Sequence, residues 1–325
     1  MEQQKISELV SGAHIRSFFL VDSATAKSRK SGDPYLFFTF KDKSGKISGN
    51  YWNPGRSDFD AFGTGDIVFV EAVVETYNEK LMLNIGKVRP AQPSDGVSVR
   101  DLVKSSPKEG SAMYSEIIGY INKYVTNEDM KILTVSVYEA YKNELIVYPA
   151  AISFHHAEIG GLLHHTIGVI RGAFFISQAY PFLNRDLLLC GAALHDIGKI
   201  HEYSLNDTGL IKEVTVDGNL VTHIIRGAMI VEEFGKRLGT DPEIIRLLSH
   251  MILSHHGVPE FGSSVVPKFP EAFILHEMDD IDAKLFEMEE ALSNTAVGEM
   301  SERQRAFDDA RLYRSPIFKI NEEMI

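Results

Sequence analysis

LLLCGAALHDIGKIHEY, residues 187–203, decides how the rest of the chain is read. Its opening LLLCGAAL is apolar without the alternation of a strand and reads as a buried helix. That helix delivers His195 and Asp196 at one end, with Lys199 three positions on. An imidazole, a carboxylate and an ammonium brought together in this way are ligand chemistry. Adjacent helical side chains point about 100° apart, so His195 and Asp196 can hold one ion only near the helix end, with other segments closing the shell.

Those segments exist on both sides. His164 and His165 lie upstream, and His223, His255, His256 and the pair Asp279-Asp280 follow. Imidazole with carboxylate suits Mn, Fe, Co or Zn and disfavours Ca and Mg. One residue from each segment gives His165, His195, Asp196 and Asp279 for a first ion; with Asp196 bridging, His223, His255 and His256 remain for a second. The order H…HD…H…HH…D resembles the HD-domain superfamily of metal-dependent phosphohydrolases, in the version with enough histidines for two metals. An HD dipeptide alone arises by chance in many chains, whereas five ordered elements on apolar helical backgrounds are specific. Two divalent ions per chain are expected, manganese first, with iron, cobalt or zinc as alternatives.

The chain has 325 residues, enough for about two domains. With 44% hydrophobic and 24% charged residues, its composition is that of a soluble globular protein. No run approaches a membrane span and the opening MEQQKISELV is no signal peptide, so a cytoplasmic protein without a membrane partner is expected. Cys190 is the single cysteine and sits in the apolar run before His195, which favours packing over catalysis. The net charge of −12 argues against a protein that merely coats nucleic acid, but it is unevenly spread. Residues 1–100 hold 13 Lys+Arg against 12 Asp+Glu, and the remaining 225 hold 20 against 33. The acid lies in the half that carries the candidate ligands.

Residues 1–90 read as strands at 14–20, 35–40, 46–51, 67–74 and 80–85, separated by the turns 31–34, 42–45 and 63–66. Five short strands suit a small closed barrel, and YLFFTFKDKSGKISGNYWN, residues 35–53, resembles the strand 2 to strand 3 hairpin of the nucleic-acid-binding OB-fold. Lys27, Arg29, Lys30, Lys41, Lys43 and Lys46 are interleaved with its aromatics. Bases stack on aromatic faces while phosphates attract the cations. Tyr35, Phe37 and Trp52, with Lys41, Lys43 and Lys46, are therefore the candidate nucleic-acid contacts. Phe38 and Phe40 share the opposite parity and suit the core, although parity alone does not say which face is which.

Residues 91–112 concentrate Pro, Gly and Ser and read as a linker with one helical turn at 99–103. From residue 113 the apolar period becomes helical, giving a helical domain over 113–296 and a polar tail over 297–325 with Phe307, Leu312, Tyr313 and Phe318 as isolated anchors. The expected fold is thus multidomain, an N-terminal all-β OB-fold barrel followed by an all-α HD-domain bundle. In 155–166, HHAEIGGLLHHT, the pair His155-His156 before Gly160-Gly161 and LL-x-HT is similar to the YhaM family of 3′-to-5′ exoribonucleases, which join these two domains; the likeness spans essentially the whole chain. That family usually carries a glutamate where this chain has His164. The resemblance assigns the ligand role to His165, just before Thr166, and leaves His164 exposed or as support for a ligand. His156 is a candidate phosphate contact, and His155 a loop residue.

Downstream, residues 206–209 form a turn and a hairpin through Asp217-Gly218-Asn219 leads into a helix opened by His223, with Arg226 one turn on. His250 reads as structural, being five residues from His255 and so on another helical side. On the last long helix Asp282 shares a side with Asp279, Asp280 points away, and His276 is placed to support Asp279.

Two ions bridged by Asp196 lower the pKa of a bound water from about 15.7 towards neutrality, so that a metal-activated hydroxide can attack phosphorus. Lys199, with Arg226, is placed to donate to a non-bridging oxygen. The resemblance implies hydrolysis of single-stranded RNA from its 3′ end to nucleoside 5′-monophosphates, with single-stranded DNA a further candidate, in a homo-oligomer. The alternative is a phosphohydrolase of small nucleotides or cyclic dinucleotides whose barrel is a regulatory or oligomerisation module.

Overall fold

The computed structural model describes residues 4–151, 156, 158–206 and 209–317, without the side chain of Phe261. The expectations placed on His155, Asp207, Thr208 and Phe318 lie outside the described residues. The chain divides into two compact units between Ser105 and Ser106.

In the first unit, β1 (His14–Ser28), β2 (Pro34–Asp42), β3 (Gly45–Tyr51), β4 (Ile67–Tyr77) and β5 (Lys80–Pro90) close into a barrel. The order is β1-β2-β3-β5-β4, and β3 with β5 is the parallel pair. Alternation decides the faces: Leu36, Phe38 and Phe40 point into the core while Tyr35 and Phe37 point out. Every strand runs past its apolar core because backbone pairing continues where the side chains turn polar. β1 shows how, since it bulges at Asp22 and then pairs its second half with β2 from Ser23 to Ser28. The one-turn α1 (Val99–Leu102) follows the barrel.

The second unit is helical. Its elements are α2 (Gly110–Tyr124), α3 (Glu128–Ala140), α4 (Lys142–Leu145), α5 (Gly161–Ala179), α6 (Arg185–Leu194), α7 (Lys199–Glu202), β6 (Tyr203–Leu205), β7 (Ile211–Val214), α8 (Val216–Leu220), α9 (Thr222–Leu238), α10 (Pro242–Ser254), α11 (Pro270–Ser293), β8 (Met300–Gln304) and β9 (Ala310–Tyr313). Side chains start the helices: Asn127 caps α3 by accepting from Met130 N, and Asn184 caps α6 by accepting from Leu187 N. Asp186 ties two segments together by accepting from Thr126 N, Thr126 Oγ1 and Asn127 N. Leu188, Leu189, Cys190 and Leu194 of α6 are fully buried, each large aliphatic contributing about 1.5–3 kcal/mol. α6 is therefore the central staff against which α5, α10 and α11 pack.

One local expectation is corrected. Asp217-Gly218-Asn219 is not a hairpin turn but lies in α8, because Thr215 Oγ1 accepts from Gly218 N and caps a helix there; the hairpin is β6–β7, one step earlier. The tail pairs β8 with β9 and packs on α11 of its own chain.

Candidate metal centre and nucleic-acid face

α6 ends at Leu194 while His195 keeps helical backbone angles, so the HD pair leaves the helix where its last carbonyls come free. His195 Nδ1 lies 2.8 Å from the Ala192 carbonyl, three residues back. A carbonyl only accepts, so Nδ1 carries the proton and Nε2 presents a lone pair. The end of α10 repeats the device, His255 Nδ1 donating to Ile252 O over 2.6 Å. On α5, His165 Nδ1 is 2.7 Å from Asp282 Oδ2, and at the start of α9 His223 Nδ1 pairs with Glu202. Four imidazoles are thus held by their outer nitrogens and turn Nε2 inward.

They turn it on Asp196. Its Oδ2 is 3.7 Å from His165 Nε2 and 3.5 Å from His195 Nε2. Asp279 Oδ1 closes this side at 3.0 Å from His165 Nε2 and 3.8 Å from His195 Nε2. Asp196 Oδ1 faces the other way, 3.7 Å from both His223 Nε2 and His255 Nε2. His256 joins those two histidines, the three donors lying within 4.8 Å of one another. The seven residues singled out as ligands therefore converge, in two sets divided by one carboxylate.

The donors fit cations. Asp196 Oδ1, His223 Nε2 and His255 Nε2 are buried and make no hydrogen bond, a condition that costs about 1–3 kcal/mol per group and calls for an ion or water. His165 Nε2 and His195 Nε2 face each other at 3.1 Å, and two lone pairs do so only with a cation or proton between them. With protein groups alone a proton takes that place: burial works to lower His165, but hydrogen bonds to Asp279 and Asp282 raise its pKa to about 10. Bonds of about 2.1 Å around a tetrahedral ion put donors about 3.4 Å apart, in the middle of the separations above.

Charge is balanced without solvent. Burial alone would push Asp196 up, yet Lys199 and the surrounding imidazoles hold it well below the usual carboxylate range. Lys199 Nζ sits 2.7 Å from Asp196 Oδ2; burial disfavours its charge and Asp196 more than restores it, so its pKa is raised. Burial pushes His195 down and His255 well below the ordinary histidine value. Asp279 is half-buried; burial works to raise it, and the hydrogen bond from His165 takes it far below its usual value. The aim of His223 carries a backbone cost, since Thr222 before it adopts φ +65°, a left-handed conformation that β-branched residues avoid.

Several assignments change. Arg226 forks onto Asp217 through Nε and a terminal nitrogen, so those donors are not offered to a phosphoryl oxygen. His156 is not a surface phosphate contact: it is 3% exposed, lies against Phe286 and reaches Asp282. His276 supports not Asp279 but the carbonyl of His255, to which its Nδ1 donates over 2.8 Å. His164 is turned to Glu158 rather than to solvent. Glu202, Asp282 and Glu158 were missed as partners, and only Asp282, one turn from Asp279, left a trace in the sequence.

On the barrel, Tyr35 and Trp52 lie 4.6 Å apart between ring centroids, and Lys27 Nζ stands 3.5 Å over Phe37. With Asn50 and Tyr77 they line one concavity. Lys43 is exposed in the β2–β3 turn. Lys41 and Lys46 both pair with Asp22, at 3.6 and 2.9 Å, because the β1 bulge turns that carboxylate towards them. Among the described residues no helix is long and apolar enough to cross a membrane.

A family model for the HD domain matches residues 162–284, and one for an OB-fold nucleic acid binding domain matches 21–91. A replication protein A OB-fold domain from Methanococcus maripaludis aligns over 28% of this chain and 96% of its own, with 26% identity and a TM-score of 0.23. Proteins named 3′-5′ exoribonuclease YhaM align along nearly the full length. The Listeria innocua one is 34% identical over 98% of this chain and 100% of its own. That of Bacillus licheniformis is 33% identical over 94% and 96%, and that of Halalkalibacterium halodurans 34% identical over 93% of each. With both domains in place and the donor residues gathered around Asp196, the chain belongs to the YhaM family of 3′-5′ exoribonucleases.

Proposed function

We propose that this chain is a 3′-to-5′ exoribonuclease that removes nucleoside 5′-monophosphates from single-stranded RNA, its HD unit cutting and its OB-fold unit holding the strand. The observation that carries the chemistry is one buried carboxylate, Asp196, with a separate donor set on each oxygen. Substrate and polarity come from the relatives, which share that activity in their names over both domains. Two divalent ions, manganese first, bound by His165, His195, Asp196 and Asp279 and by Asp196, His223, His255 and His256, would act as Lewis acids on a phosphoryl oxygen and bring the pKa of water to about 7.

The protein's own groups do the rest. Hydrogen bonds from the outer nitrogens fix His165, His195 and His255 before substrate arrives, and Glu202 pairs with Nδ1 of His223, so little reorganisation accompanies reaction. Lys199 keeps its charge in a dry setting and is the cation nearest Asp196, suited to balance a non-bridging oxygen. Attack of water in line with the 3′-oxygen of the preceding nucleotide forms one P–O bond and breaks the other; the proton passes to the departing oxygen. Tyr35, Phe37 and Trp52 offer stacking faces for bases and Lys27 a charge for phosphate.

The test is a 5′-labelled RNA oligonucleotide with Mn²⁺. A ladder shortening from the 3′ end, with nucleoside 5′-monophosphates as products and no turnover by Asp196→Ala, is expected. Internal fragments, or an Asp196→Ala protein of undiminished rate, would overturn the proposal.

A further inference from the structure

Three more donor-bearing side chains meet outside the two sets. His156 and Glu158 precede α5 and His164 lies in its first turn. His164 Nδ1 is 2.8 Å from Glu158 Oε1, His156 Nδ1 is 3.2 Å from His164 Nδ1, and His156 Nδ1 is 4.0 Å from Glu158 Oε1. These edges average about 3.3 Å, close to the tetrahedral edge of about 3.4 Å for bonds near 2.1 Å.

Proton placement points the same way. His156 Nε2 lies 3.1 Å from Asp282 Oδ2, and an ionised carboxylate only accepts, so neutral His156 keeps its proton on Nε2 and leaves a lone pair on Nδ1. That lone pair faces His164 Nδ1, which faces Glu158 as well. A divalent cation could be held by all three atoms at once. The surroundings are dry, with His156 3% and Glu158 7% exposed. The second nitrogen of His156 on a carboxylate is the supporting bond that metal-binding histidines ordinarily make.

We propose that His156, Glu158 and His164 bind a third divalent cation, of the zinc class, through three protein ligands with one coordination position left open. Asp282 joins this site to the centre around Asp196, because the same Oδ2 accepts from His156 and from His165. The α5 glycine beneath it, Gly168, is required: a Cβ there would collide with Asp282 Oδ1. A cation at the third site fixes the turn before α5 and, through His156 and Asp282, the orientation of His165. The inference rests on these contacts and not on the proposed activity.

Equilibrium dialysis of the full chain against Zn²⁺, followed by elemental analysis, tests it by difference. His164→Gln and Glu158→Gln are each expected to hold one ion per chain fewer than wild type, with unchanged circular dichroism. Equal counts in wild type and variants overturn the proposal, whether the total is two or three. If the centre around Asp196 fails to bind, the total falls but the difference of one persists, so the two readings fail separately. Should both variants unfold, crystals of the wild-type chain grown with Zn²⁺ decide alone. An anomalous peak among the three side chains supports the site, and none there overturns it.

Discussion

Gly198→Ala probes how the centre around Asp196 is assembled. Gly198 precedes α7 with φ −67° and ψ −18°, angles that alanine adopts readily, and the lower entropy of the unfolded chain alone would make the change stabilising by about 0.4–1 kcal/mol. Space dictates the opposite. An added Cβ would lie 2.8 Å from Gly227 N and 2.8 Å from the His223 carbonyl carbon, with the His223 oxygen nearer still. Carbon–carbon contact is comfortable at about 3.5–4.0 Å, so the start of α9 must retreat by about 1 Å. His223 Nε2, now 3.7 Å from Asp196 Oδ1, would move to about 4.7 Å, too far for both to reach one ion through bonds of about 2.1 Å. The expected result is the loss of one ion per chain and a rate lower by roughly 100-fold, the usual scale for a misplacement of about 1 Å, in a protein that still folds. Elemental analysis, nucleotide release from labelled RNA and thermal unfolding measure the three quantities. Full metal content and full rate in Gly198→Ala would refute the claim that this backbone contact sets His223.

Three further outcomes are expected. Thr222→Gly relieves the left-handed strain before His223 and should stabilise the fold by about 0.5–1 kcal/mol; a lower denaturant midpoint would remove strain from the account. Asp22→Asn frees Lys41 and Lys46, so RNA binding should tighten and its logarithmic salt slope steepen by about 0.7 per lysine that engages a phosphate; an unchanged slope would mean that neither lysine meets the backbone. Burial works to raise Glu116, but hydrogen bonds from Arg171 and Lys108 outweigh it and depress its pKa. The stability it adds, about 1 kcal/mol, is present above the unfolded value of 4.5 and is lost as pH falls through the lower folded value. Unfolding midpoints at neutral and acidic pH should therefore converge in Glu116→Gln, and an acid limb identical to wild type would contradict this.

How far the sequence could be read follows from the range of the interactions involved. The barrel was legible because alternation is local: it put Phe38 and Phe40 on one face and Tyr35 and Phe37 on the other, and burial in the folded barrel then makes the first face the core. The donors were legible by type and order, since few other arrangements place so many imidazoles on apolar helices. Their partners were not. Asp282 meets His165 across 117 positions, and helical phase fixes which side a residue faces but not what stands opposite. Arg226 escaped for a nearer reason: Asp217, nine residues before it, is raised on a short helix that had been read as a turn. Lys41 and Lys46 looked like free charge because Asp22 belongs to a bulge, and a one-residue slip in pairing leaves no compositional mark.

The four inward-facing imidazoles are not equally secure against sequence drift. His195 and His255 are pinned by main-chain carbonyls of their own helices, anchors that no side-chain replacement can delete. His165 and His223 depend on the carboxylates of Asp282 and Glu202, each a single codon change from being lost. As lineages diverge, decay of the centre should begin at those two acids, one serving each oxygen of Asp196, and a copy released from selection would lose the orientation of its ligands before it lost the ligands themselves.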